Sequence, residues 1–90
     1  MDNYIKLHYD ILELEVPMEE KVVLALVRQM TRNGQGYWAG YKAMSDLLKI
    51  PKSRCKHFAE HLAESGLISI SSEKINRKTR IVLRESNAPK

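Results

Sequence analysis

The stretch over 41–68, YKAMSDLLKIPKSRCKHFAEHLAESGLI, constrains this chain more than any other. Met44, Leu47 and Leu48 recur at i, i+3, i+4, and Cys55, Phe58, Ala59 and Leu62 at i, i+3, i+4, i+7. Each spacing puts apolar side chains on one face of a helix. Only Lys49, Ile50 and Pro51 separate the two patterns. So short a connection makes the helices cross sharply and buries Ile50 in the corner, the geometry of a helix-turn-helix.

The second helix, expected over 52–65, has two unlike sides. Opposite its apolar stripe stand Ser53, His57, Glu60 and Glu64, flanked by Lys52, Arg54, Lys56 and His61. The cations gather in the first half and the acids in the second. That order opposes the helix dipole, which favours acids first and bases last. A helix whose first half meets phosphates and base edges needs this order.

Charge is uneven along the chain as well. Residues 1–33 hold four Lys/Arg and six Asp/Glu, net −2, whereas residues 34–90 hold eleven Lys/Arg and five Asp/Glu, net +6. The basic part contains the helix pair and the C-terminal segment after it, which suggests a polyanionic partner. A solvated basic surface is the plainer alternative. Ninety residues make one domain with a modest core. No apolar run is long enough to span a membrane, and the polar, acidic start does not read as a signal peptide. Cys55, the single cysteine, lies on the apolar stripe and is expected to be buried and inert, which fits a reducing cytoplasm.

In chain order, 4–9 alternates and suits a short strand or extended arm, and 10–16 is ambiguous, with Asp10 able to cap a helical turn. Residues 1–16 form an N-terminal arm on this reading, 17–85 the domain, and 86–90 a frayed tail. Pro17 opens the first major helix, which runs to about Thr31 with Glu19 and Glu20 early and Arg28 and Arg32 late. Its unbroken apolar run over 22–27 is wider than one stripe. It reads as a core helix, or as one that also serves a dimer interface. Asn33 and Gly34 stop it, and Tyr37 and Trp38 form a short strand. Gly66 ends the helix pair. Two strands come next, 67–72 with Ile68 and Ile70 inward and 79–84 with Ile81 and Leu83 inward, around an exposed tip over 73–78. Ile75 in that tip has no evident core role. Lys74, Arg77, Lys78 and Arg80 give this hairpin four cations against Glu73.

Taken together, Y-x-x-M-S-D-L-L-x-I, S-R-C-K-H-F-A-E-H-L, E-S-G-L-I and the final ISISSEKINRKTRIVL resemble a winged helix-turn-helix domain. With the upstream YIKLHYDIL, EEKVVLALV and GQGYWAGY, the chain is similar to the winged-helix domains of plasmid and phage replication initiators and mobile-element regulators. It departs from that pattern at Pro51, where a Ser or Thr cap is usual. The resemblance implies a mainly α, α+β fold with three core helices and a wing of two or three strands. It also implies that the wing lies along the DNA backbone or reaches into the minor groove.

These readings converge on a sequence-specific double-stranded DNA-binding protein that regulates transcription, or replication and maintenance, of a plasmid, phage or mobile element. Lys52, Arg54 and Lys56 are expected on phosphates or guanine edges, Ser53 and His57 on bases, and Lys74, Arg77, Lys78 and Arg80 on the flanking backbone. A homodimer through the 11–27 region would double the contact. The alternative is a winged-helix adaptor that binds protein through Ile75, Trp38 and the arm. No enzyme is expected: no nucleophile, base and orienting acid stand together, and Glu13, Glu15, Glu19 and Glu20 read as solvated surface. Neither a cofactor nor a small-molecule ligand is expected. His57 and His61 stand at i, i+4 without further metal ligands, and Gly34-x-Gly36 lacks the spacing of a phosphate loop.

Overall fold

Pro17 marks where the architecture begins, because its ring fixes φ at −57° and hands the chain into the longest helix. In the computed structural model, which describes residues 7–34 and 36–86, the order is α1 (Tyr9–Leu12), α2 (Met18–Arg32), α3 (Gly40–Leu48), α4 (Lys52–Glu64), β1 (Ile68–Ile75) and β2 (Lys78–Glu85). This is an α+β fold. Tyr4, Ile5 and Lys6 of the expected arm, Gln35, and the tail beyond Ser86 lie outside the described residues. Among the described residues no helix is long and apolar enough to cross a membrane.

The short helix α1 is an addition to the three expected. Tyr9, assigned to an extended arm, opens it, and Asp10 sits inside its first turn rather than capping it. Ile11 is fully buried against α2, so this segment contributes to the core.

Helix α2 is the hub. Val23, Leu24, Ala25, Leu26 and Val27 are all buried, with α1, α4 and β2 packed around them. The apolar run that had also suited a dimer face is therefore filled by the chain's own core. The large apolar side chains that the 11–27 region still exposes are Leu12 and Met18. Gly34, at φ 100°, ends the helix as its sequence indicates.

Helices α3 and α4 meet across Lys49, Ile50 and Pro51. Lys49 takes the left-handed conformation usually given to glycine, at φ 61°, and Ile50 is buried in the corner. On α4, Cys55, Phe58, Ala59 and Leu62 are buried as their spacing predicts. On α3 the buried side is set by Met44, with Tyr41 and Leu48 packed beside it. Leu47, expected inward, is 48% exposed. The period marks a face, not a partner for it, so the apolar face of α3 is narrower than the sequence pattern suggests.

Gly66, at φ 80°, closes α4 with the Leu67 N–H bonded to the Leu62 carbonyl and the Gly66 N–H to the Ala63 carbonyl. This pair of bonds is a Schellman motif, and it aims the chain straight into β1. Strands β1 and β2 pair antiparallel from Ile68 opposite Glu85 to Ile75 opposite Lys78. The expected six-residue tip is thus only Asn76 and Arg77, whose positive φ angles of 52° and 69° make a two-residue type I′ turn. An Asn-Gly pair would have announced that turn in the sequence, and Arg77 stands where the glycine would be.

Only the hairpin's root reaches the core. Ile68, Val82 and Leu83 are buried, whereas Ile70 and Ile81, expected inward, are 37% and 41% exposed because the ribbon projects past the helices. Val82 and Leu83 point to opposite faces yet both are covered, because the 36–38 segment crosses the root. Tyr37 and Leu83 exchange both backbone bonds at 2.7 Å, so the expected third strand is a single bridge.

Candidate nucleic-acid interface

The first half of α4 owes its exposure to the spacing of its apolar residues. Cys55, Phe58 and Ala59 take the inner side, which leaves Lys52, Ser53, Arg54, Lys56 and His57 exposed. Pro51 supplies no side-chain cap and no acid stands in the first turn. The Arg54 N–H bonds the Pro51 carbonyl, so the first-turn amides of Lys52 and Ser53 and the positive end of the helix dipole coincide with Lys52, Arg54 and Lys56, an arrangement that attracts anions. Arg54 is not wholly free, since its guanidinium bonds the Glu19 carboxylate of α2 at 2.9 Å. That pair joins residues 35 apart in sequence, and the sequence gives no signal for it.

The second half of α4 is anchored by another acid of the same α2 turn. Glu20, read from sequence as solvated, is 3% exposed and bonds His61 Nδ1 at 2.5 Å. His61 itself stays on the exposed flank assigned to it, with its side chain 47% accessible, and the bond to Glu20 occupies its Nδ1. The hydrogen bond to Glu20, reinforced by its charge, holds the His61 pKa above its ordinary value. A raised folded-state pKa stabilises the fold fully below the unfolded value of 6.5, and that contribution fades as pH rises through the folded value. The protein is therefore expected to lose stability as pH rises from 6.5 through the raised folded-state value. Denaturant titrations of the wild type and Glu20→Gln check this: the wild type should show the decline and the variant a flatter profile. A proton NMR titration should place His61 above the ordinary histidine value of 6.5.

On the hairpin, Lys74, Arg77 and Lys78 are exposed, and no carboxylate pairs with them among the described residues. Arg80 differs. Its guanidinium lies over the Trp38 ring at 4.8 Å and 3.8 Å from Glu73, which also takes Arg84 at 3.1 Å. Arg80 and Glu73 face each other across the two strands, so the strand register assembles this cluster. The sequence marks Trp38 as a strand residue and a candidate adaptor contact. Its place beneath Arg80 depends on the 36–38 crossing, which the sequence does not announce.

Of the nine side chains expected at an interface, two already have partners, Arg54 with Glu19 and Arg80 with Trp38 and Glu73. The other seven are exposed on α4 and the hairpin. The Gly66 turn connects these two elements, and β1 packs against α4. Beneath them the interior is chemically quiet. Burial pushes the Cys55 thiol up, and its Sγ approaches the Ile50 carbonyl at 3.6 Å. Burial likewise pushes the Tyr37 hydroxyl up to about 12 while it donates to the Gly40 carbonyl. Among the described residues no three His, Cys, Asp or Glu side chains are grouped so as to hold a metal ion. Comparison with known proteins finds no matching family model, no matching curated protein and no matching solved structure.

Proposed function

We propose that this chain is a winged helix-turn-helix protein that binds double-stranded DNA sequence-specifically. It would act as a transcriptional regulator, or a replication or maintenance factor, of a plasmid, phage or mobile element. The first half of α4 enters the major groove and the β1–β2 hairpin lies on the flanking backbone. The observation that carries the reading is the state of five cations. Lys52 and Lys56 on α4, and Lys74, Arg77 and Lys78 on the hairpin, are exposed with no carboxylate bound to them among the described residues. Cations kept for internal pairing would resemble Arg28 and Arg84, which are tied to acids. Ser53 and His57, on the same exposed side, supply base-edge donors and acceptors. A homodimer on a two-fold site extends the reading, with Leu12 and Met18 the exposed apolar residues of the 11–27 region.

The test is fluorescence anisotropy with a mixed-sequence duplex across salt concentrations. Affinity is expected to fall linearly in log–log form with a slope of about −0.9 per phosphate contacted. The Lys52→Ala/Lys56→Ala variant should fold normally, bind about tenfold more weakly and reduce the slope by about 2. Unchanged binding by the folded variant would remove α4 from the interface. Ile70, Ile75 and Ile81, exposed on one ribbon, favour a protein-binding adaptor as the second reading. Absence of duplex binding even at low salt would select it.

A further inference from the structure

Trp38 and Arg80 form a cation–π pair at the edge of an open groove. The guanidinium lies 4.8 Å from the indole centroid, and Trp38 remains 42% exposed. Tyr37, Tyr41, Thr79 and Ile81 complete the main walls of the groove, whose volume is about 320 Å³, and no carboxylate among the described residues lines it, Glu73 standing 3.8 Å from the Arg80 guanidinium at its edge. A volume of this order lies near the lower bound for small-molecule sites, roughly 300 Å³. The N–H and C=O of Leu83 turn toward Tyr37. By the two-residue period of a strand, those of Ile81 and Thr79 turn to the same side, so the groove carries backbone hydrogen-bonding groups as well as aromatic surface. Lys78 and Arg77 lie further toward the tip, both exposed.

We infer that this groove binds single-stranded nucleic acid, taking an unpaired base against the Trp38–Arg80 stack. Two observations select that ligand over an apolar peptide. The platform joins an indole ring to a guanidinium, and unpaired bases stack both on aromatic rings and on arginine guanidinium planes. The groove also lies in the part of the chain that carries the positive excess, beside cations suited to a phosphate backbone. A paired base inside a duplex cannot reach such a surface, so the site selects for strand state rather than for sequence. Major-groove contact by α4 is not required for it.

Trp38 is the only tryptophan, so the site reports on itself. The wild-type chain is titrated at low salt with a short oligothymidylate and, separately, with a duplex of equal length, while Trp38 emission is followed. The oligothymidylate is expected to quench the emission as it binds, and the duplex to leave it nearly unchanged. Trp38→Leu should weaken binding of a labelled oligothymidylate about tenfold, from loss of one stacked base, and leave duplex affinity within about twofold. Emission unchanged at saturating oligothymidylate overturns the inference, as does a folded Trp38→Leu variant that binds it as tightly as the wild type. Failure to bind single strands at all also overturns it. Should the variant not fold, the wild-type emission decides alone. Quenching by single strands without any duplex binding would uphold this site and reject the major-groove reading of α4.

Discussion

Arg28→Ala is expected to cost about 2–4 kcal/mol of stability, which lowers the melting temperature of a domain this size by roughly 10–25 °C. The magnitude comes from what the side chain holds. Two guanidinium nitrogens take the two Asp10 oxygens, at 2.8 and 2.5 Å, and Nε takes Glu85 at 2.7 Å. A planar fork matched to a carboxylate is the strongest form of such a pair. The side chain is nearly buried, whereas Asp10 is largely open to water and Glu85 only slightly. Alanine would let Asp10 return to solvent cheaply but leave Glu85 a half-sequestered charge without its partner. The loss would also separate three elements at once, since Asp10 belongs to α1, Arg28 to α2 and Glu85 to the end of β2.

The same cluster sets an acid limit. The hydrogen bonds from Arg28 hold the Asp10 carboxyl at about 2, below its ordinary 3.8. A depressed folded-state value contributes stability that is present above pH 3.8 and lost as pH falls through about 2. Circular-dichroism melts from neutral pH downward should show this decline in the wild type, and Arg28→Ala should lack it.

Gly36→Ala is expected to cost a similar amount, about 2–4 kcal/mol, for a steric reason. Gly36 sits at φ 79°, where a side chain is strained, and an added Cβ would lie 2.7 Å from Arg84 Cγ, 2.9 Å from the Leu83 carbonyl oxygen and 3.2 Å from Val82 Cγ1. The Arg84 side chain can swing away. The Leu83 carbonyl cannot, because it accepts the Tyr37 N–H. Gly34→Ala is the control: at φ 100° with nothing within 4 Å, it carries backbone strain without crowding. Urea unfolding of both variants separates the two contributions, and Gly34→Ala should cost about 1–2 kcal/mol. Equal losses would mean that the crossing is not tight. Because Gly36 leads directly into Tyr37 and Trp38, the crowded variant should also shift Trp38 emission in the folded state.

These two residues show where sequence reading stops. Arg28 was legible as a cation matched to a helix C-terminus, and Gly36 only as part of a helix stop. Their partners lie 18 and 57 residues away for Arg28, and at 82–84 for Gly36. No periodicity encodes a meeting at that distance. The same holds for Glu20 with His61, 41 residues apart, and for Arg80 on Trp38. Spacing puts Ile70, Ile81 and Leu47 inward because a period identifies a face but not whether anything lies opposite it.

By itself the sequence determined what depends on local spacing. It placed α2, α3 and α4 within a residue or two, the Ile50 corner, the stop at Gly66, the buried stripe of α4 and the pairing of two final strands, because helix and strand periods and glycine conformations act over a few residues. It also marked which part of the chain carries the positive excess. The tertiary structure alone decided which charges remain available. It paired His61, still exposed, with Glu20, held Arg80 against Trp38 and Glu73, set Arg54 against Glu19, and left Lys52, Lys56, Lys74, Arg77 and Lys78 exposed without a carboxylate among the described residues. The physical reason is that an ion pair or a stack forms by proximity in space, and proximity between distant residues exists only once α2 has gathered α1, α4 and the hairpin around it.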